Sequence, residues 1–278
     1  MACTLHVVRI LALPLAVVFM AAPAAAQSAV TDRYPDIAAA YAVAVDGKLQ
    51  WAGKPDERRQ PASLSKLLAA LALLESGWNP EAIVTVSAAA AGVEGSRIGL
   101  RRGEQLRAAD LLTGMLVRSG NDACLALAEH AAGSVAAFAK HMNQHAARIG
   151  MKNSNFVHPC GLDASGQHTT ARDLLLLAEA ARAVPEIRNR AAMASAAVST
   201  TAGRELRFNN TNALIGRAPD VVGLKSGFTS GAGNCVIALG ERAGHYALVV
   251  LLGGADRWWD ASGLIAQALG PVAPPSGR

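Results

Sequence analysis

The chain has 278 residues, 51% of them hydrophobic and 17% charged, with a net charge of +5. That composition excludes a mainly disordered chain and supports one large core, or at most two small ones. The mildly basic balance, with no Lys/Arg run, fits a solvated surface or weak attraction to anionic wall polymers and gives no reason to expect nucleic acid as a partner.

Residues 1–26 carry one early cation, Arg9, an apolar run from Ile10 to Met20 interrupted by Pro14, and the small residues Ala24, Ala25 and Ala26 ahead of Gln27. This pattern predicts a secretory signal peptide cleaved near Ala26, with an uncleaved N-terminal anchor as its rival. Either way the domain is expected outside the cytoplasmic membrane, periplasmic or extracellular, and at most peripherally associated with a membrane. Because Arg9 is the only charged residue of the signal, the mature chain would carry +4 where the full chain carries +5. No second apolar stretch reaches the roughly 18 uncharged residues of a membrane span. Cys3 leaves with the signal, so Cys124, Cys160 and Cys235 remain, allowing one disulfide plus a free thiol or three buried thiols. None sits in a CxxC pair or beside histidines at ligand spacing, so neither a metal nor an organic cofactor is expected.

The stretch "AAAYAVAVDGKLQWAG" predicts two antiparallel strands turning at Asp46-Gly47. Apolar residues at spacings of three and four then predict helices over 63–76, 108–117, 121–131, 135–149 and 170–183. Strand patterns return in "VVGLKSG", "NCVIALG" and "HYALVVLLGG", before an amphipathic helix over 257–269 and a Pro-rich tail at 271–278. Strands from both chain ends with helices between them predict a mixed α/β (α+β) domain over 30–270. Its antiparallel sheet would be built from the two ends, with a mainly helical lobe inserted and a cleft where lobe and sheet meet.

Three short motifs could carry chemistry. In "PASLSKL", Ser63 and Lys66 fall on one helical face if a helix starts near Ser63, and a lysine buried near other cations can lose its proton and activate a hydroxyl. The competing reading makes Ser63 a helix cap. Ser119-Gly120-Asn121 lies between two helical patterns, where Asn121 or Asp122 could equally be an N-cap. Lys225-Ser226-Gly227 lies on a strand; a lysine there is ordinarily a solvated edge charge, but the glycine would let a substrate backbone lie close along an edge.

Their order, with about 55 and then about 105 residues between them, resembles the penicillin-binding proteins and serine β-lactamases. The fuller strings "LLTGMLVRSGNDACLALAE", "GLDASGQHTTARDL", "NNTNALI" and "GLKSGFTSGAGNC" resemble the low-molecular-weight D-alanyl-D-alanine carboxypeptidases of peptidase group S11, over roughly residues 35–269. The resemblance implies a β-lactamase/transpeptidase-like fold, peptidoglycan stem peptides as substrate and β-lactams as covalent inhibitors. It implies Ser63 as nucleophile, Lys66 as base and Ser119 as proton relay. Asn121 would orient the substrate amide, Lys225 and Ser226 would meet the terminal carboxylate, and the oxyanion donors would be the backbone N–H groups of Ser63 and of Phe228, just past Gly227. Ser226 stands where most such enzymes have threonine. Asn210 stands where some have an arginine for the carboxylate, a role Arg207 could take over. Ending soon after the catalytic domain, the chain also resembles single-domain DD-endopeptidases, which cut cross-links with the same residues. A β-lactamase is disfavoured because Glu186-Ile187-Arg188-Asn189 does not match the required E-x-x-L-N loop, and a non-catalytic β-lactam sensor is the rival of another class. Cys124 is expected to be a small packed thiol, and His158 and His168 to be turn residues.

Overall fold

The structure, a computed structural model, describes residues 30–270. The expected signal at 1–26 and the tail at 271–278 lie outside the described residues. Strands β1 (Ala38–Val45) and β2 (Lys48–Gly53) form the expected hairpin. Asp46 and Gly47 both take positive φ, +47° and +76°, as a tight two-residue turn requires. A short 3₁₀ turn, Ala62–Leu64, then leads into α1 (Ser65–Glu75). The lobe continues with β3 (Ile83–Thr85), α2 (Ala88–Gly92), β4 (Gln105–Arg107), α3 (Ala108–Val117), α4 (Asn121–Ala132), α5 (Val135–Arg148), α6 (Ala171–Arg182) and α7 (Pro185–Ala191). A ribbon of β5 (Ser195–Ser199) and β6 (Glu205–Asn209) precedes β7 (Val221–Thr229), β8 (Gly233–Arg242), β9 (His245–Gly254) and α8 (Arg257–Ala268).

The main sheet has the order β2-β1-β9-β8-β7, antiparallel throughout, so the two ends of the described chain meet at the β1–β9 pair. Both faces are covered. Ala40, Ala42, Ile237, Leu239, Leu248 and Val250 point into the core shared with the lobe, and Tyr41, Val43, Val236, Val249 and Leu251 into a second core under α8. Burial on both sides explains why β1 and β9 read as nearly unbroken apolar runs.

Helix α1 is the axis of the lobe. Its residues from Ser65 to Leu73 are all buried, and it packs against α3, α4, α5 and α6. A helix apolar on all sides belongs in an interior, and "SKLLAALALLE" has a single cation in that interior, Lys66. Among the described residues, no helix is long and apolar enough to cross a membrane.

Candidate active site

The cleft lies where β7, the edge strand of the sheet, meets the 3₁₀ turn ahead of α1 and the α3–α4 corner. It encloses about 200 Å³ and is lined by Ser63, Ser119, Asn121, Thr211, Ser226, Phe228 and Arg257, among others. Two residues of its rim hold the left-handed backbone that side-chain-bearing residues avoid: Ala62 at φ +48° and Ser119 at φ +59°. Such strain costs about 1–3 kcal/mol per residue and persists where the surrounding structure enforces it. Here it turns Ser63 and Ser119 toward the same space.

Behind each of these serines lies a buried lysine. Lys66 Nζ donates to Ser63 Oγ at 2.9 Å, to Asn121 Oδ1 at 2.7 Å and to the Cys160 carbonyl at 2.6 Å. Lys225 Nζ donates to Ser119 Oγ at 2.8 Å and to the Ser226 carbonyl at 2.8 Å. Lys66 is 0% exposed and Lys225 1%, so neither is a solvated edge charge. Burial first, and then the neighbouring charge of Lys225, push Lys66 well below the ordinary lysine range, while Asp122 opposes the shift. Burial, helped by Arg257, pulls Lys225 down to about 7. When neutral, the Lys66 amine can donate its two N–H groups to Asn121 Oδ1 and the Cys160 carbonyl, which leaves its lone pair facing the Ser63 hydroxyl to take that proton.

Neither expected cap is present. Ser63 makes no side-chain capping bond, and the N-cap of α4 is Gly120. Asn121 is held on both sides of its amide, with Oδ1 receiving Lys66 and Nδ2 donating to the Glu94 carbonyl at 2.6 Å. Asp122, fully buried, accepts from the N–H groups of Ile98, Gly99 and Leu100 at 2.9–3.1 Å and so ties the 98–100 segment to α4. It was not visible as a functional residue in the sequence, because its partners are all main-chain.

Gly227 has a different reason from the one its motif suggests. A Cβ there would come within 2.8 Å of Ser63 N and 2.9 Å of Ala62 Cβ, so what lies close against β7 is the protein's own Ser63 turn. Gly161, at φ +79°, presses on the same turn from the other side, with a Cβ position 1.8 Å from the Ala62 carbonyl oxygen. Gly227→Ala is therefore expected to displace Ser63 and lower the acylation rate about 100-fold, since a misplacement near 1 Å has that effect. Rates of acylation by a fluorescent penicillin, compared with the melting temperature, check that the loss exceeds any loss of fold.

Several expectations need correcting. Cys124 is not a packed thiol: it forms a disulfide with Cys160, and among the described residues Cys235 is the free cysteine, buried. Arg207 does not reach the cleft; it is exposed on β6 and pairs with Glu205. Asn210 turns away too, donating to the Ala191 and Met193 carbonyls. The cation on the cleft wall is instead Arg257, at the start of α8, which donates to the Gly227 carbonyl at 2.7 Å and Asn234 Oδ1 at 3.0 Å. Ser226 Oγ bonds Thr211 Oγ1 at 3.2 Å, so a neighbouring threonine steadies its hydroxyl. His158 accepts from the Cys160 N–H at 3.2 Å and is half-buried beside Lys66, while His168 stays in the β-bridge with Asn155.

The buried lysines also set how stability depends on pH. An unfolded lysine titrates near 10.5 and folded Lys225 near 7, so between those values the unfolded chain binds more protons and stability rises with pH. Lys66 acts with the same sign. From pH 7 to pH 9 the Lys225 contribution is on the order of 2 kcal/mol, read as a rising urea midpoint that flattens in Lys225→Met.

The model of the S11 peptidase family, described as D-alanyl-D-alanine carboxypeptidase, matches residues 27–256. The chain is 34% identical over 258 residues to the D-alanyl-D-alanine carboxypeptidase DacC of Escherichia coli, covering 86% of this chain and 62% of that one. It is 35% identical over 237 residues to the D-alanyl-D-alanine endopeptidase of the same organism, covering 82% of this chain and 75% of that one. Among solved structures, an evolved penicillin-binding protein homologue from Mycobacterium tuberculosis superposes with a TM-score of 0.80 at 28% identity, covering 88% of this chain and 97% of that one. The chain spans 54% of the length of one curated carboxypeptidase relative and 62% of another.

Proposed function

Because the chain belongs to the S11 peptidase family of D-alanyl-D-alanine carboxypeptidases, we propose that it removes the terminal D-alanine of peptidoglycan stem peptides through an acyl-enzyme on Ser63. The observation that carries this reading is the pair of Ser–Lys contacts opening on one cleft. Lys66 takes the Ser63 proton as Oγ bonds to the carbonyl carbon between the two D-alanines. The oxyanion forms against the backbone N–H groups of Ser63 and Phe228, where one such donor stabilises the transition state by about 3 kcal/mol. Ser119 passes its proton to the departing amine and is reprotonated by Lys225, the lysine it bonds, and Lys66 returns the proton it took to Ser63 Oγ when the acyl group leaves. Water then enters and releases the shortened peptide from Ser63.

The substrate's free carboxylate would face the Ser226 hydroxyl, with Lys225 behind it and Arg257 beside it. Arg257 Nε has no protein partner although it is buried, which leaves that donor for a ligand or water. A carboxylate in that place would draw the Lys225 pKa back up from about 7, so binding itself restores the positive charge. β-Lactams, which present a carboxylate and a strained amide in the same relation, would acylate Ser63 and stay. Such substrates lie outside the cytoplasmic membrane, in keeping with residues 1–26 acting as an export signal.

A second reading is the DD-endopeptidase, which opens the D-alanyl cross-link. It is supported by the likeness to the D-alanyl-D-alanine endopeptidase of Escherichia coli, 35% identical over 237 residues. Incubation with stem pentapeptides and with cross-linked muropeptide dimers, followed by mass spectrometry, separates the two. Tetrapeptide and free D-alanine are the expected products; conversion of dimers alone would replace the first reading by the second, and no product from either would overturn both.

A further inference from the structure

We propose that the Cys124–Cys160 disulfide is a positioning element of the reaction, holding the Cys160 carbonyl against the amine of Lys66. The inference rests on Ser63 and Lys66 acting as nucleophile and base.

The bond joins the first turn of α4 to the loop at 158–161, with the two Cα atoms 5.9 Å apart, within the ordinary disulfide range. Both cysteines are buried, at 1% and 0% exposure. Of the three acceptors around Lys66 Nζ, Asn121 Oδ1 comes from α4 and the Cys160 carbonyl from the loop. The disulfide ties together the two elements that supply them. The same carbonyl lies 3.5 Å from Ser63 Oγ, so its position governs both members of the Ser–Lys pair.

Toward α4, residue 160 is tied by the disulfide and, through its carbonyl, by the Lys66 amine. Its N–H bonds only the nearby His158 ring. The rest of the loop is secured separately: Gln167 accepts from the His158 N–H at 2.9 Å and donates to the Leu162 carbonyl at 2.7 Å. Opening the disulfide therefore loosens the carbonyl of residue 160 from α4, while Gly161 still packs on the Ala62 turn and the loop around it stays in place. Any substitution of Cys160 keeps the main-chain carbonyl, so what a variant loses is the placement of that acceptor.

A loosened acceptor also lets water reach Lys66. The charged or titratable groups that face Lys66 are Asp122 on α4, Lys225 on β7 and His158 in the loop, and none is altered by removing the two sulfurs. Burial is the main cause of the low Lys66 value, so relieving it moves the amine back toward the ordinary range.

The test is the double variant Cys124→Ala/Cys160→Ala beside the wild-type chain, with acylation by a fluorescent penicillin followed from pH 5 to pH 10. The expected result is acylation about tenfold slower, with the ascending limb of the pH profile displaced to higher pH, a cooperative melt retained, and the non-covalent affinity for the drug unchanged. In the wild-type chain, Cys124 and Cys160 should resist thiol labelling until a reductant is added, and Cys235 should label on unfolding alone. A variant with the wild-type rate and limb would overturn the proposal, as would labelling of Cys124 and Cys160 without reductant. Loss of the cooperative melt both in the variant and in wild-type chain refolded under dithiothreitol would assign the bond to fold stability and overturn it too. A wild-type chain that takes no penicillin at all would remove the Ser–Lys reading itself, and this inference with it.

Discussion

Replacing Ser63 with alanine is expected to lower turnover about a million-fold, a barrier increase of roughly 8 kcal/mol, while the protein still folds. The fold should survive because the Ser63 side chain caps nothing; its one close partner is Lys66 Nζ at 2.9 Å. The amine keeps its acceptors on Asn121 and Cys160 when that partner is gone. Steady-state release of D-alanine, with the melting curve as control, reads both halves of the prediction. Ser119 is not expected to take over as nucleophile, because its hydroxyl bonds Lys225 and faces the leaving-group side of the proposed reaction.

Lys66→Met is expected to slow acylation about 10,000-fold, the upper range for removing a general base. Methionine matches the buried stem of lysine without its amine, so the core around α1 stays filled while Asn121 and the Cys160 carbonyl lose their shared donor. The pH profile distinguishes this from a packing defect. The wild-type ascending limb should fall well below pH 10.5, because burial and the Lys225 charge hold Lys66 down. In Lys66→Met that limb should vanish and the residual rate should climb with hydroxide concentration. With Ser63 and Lys66 as the proposed nucleophile and base of one unit, the double variant should be no slower than Ser63→Ala alone.

The residues of the proposed chemistry were legible because local physics constrained them. Ser63 and Lys66 lie one helical turn apart, and an all-apolar helix with a single lysine announces a buried amine. Gly227 was visible as a close-approach glycine, although the partner it admits is the Ser63 turn. The main sheet was legible because both of its faces are buried and its strands run to ten residues. The β3–β4 and β5–β6 ribbons escaped notice: they have three and five residues per strand, and "SAAVS" has little of the branched or aromatic character that marks a strand.

What local pattern cannot carry is pairing across the chain. Lys225 meets Ser119 over 106 positions, and Cys124 meets Cys160 over 36. An even choice among three cysteines has no solution until the α4 helix and the 158–161 loop are placed side by side. Arg257 was hidden for a related reason. At the start of an amphipathic helix it reads as a solvent-facing residue, and only the packing of α8 on β8 and β9 brings its guanidinium to Gly227 and Asn234.

The central claim is that Ser63 forms the acyl-enzyme, and the most direct measurement is peptide mapping of the protein after brief exposure to a penicillin. The added mass should fall on the peptide containing Ser63, at that residue, in wild-type protein and be missing in Ser63→Ala. An adduct on Ser119 or any other residue, or the same adduct in Ser63→Ala, would contradict it.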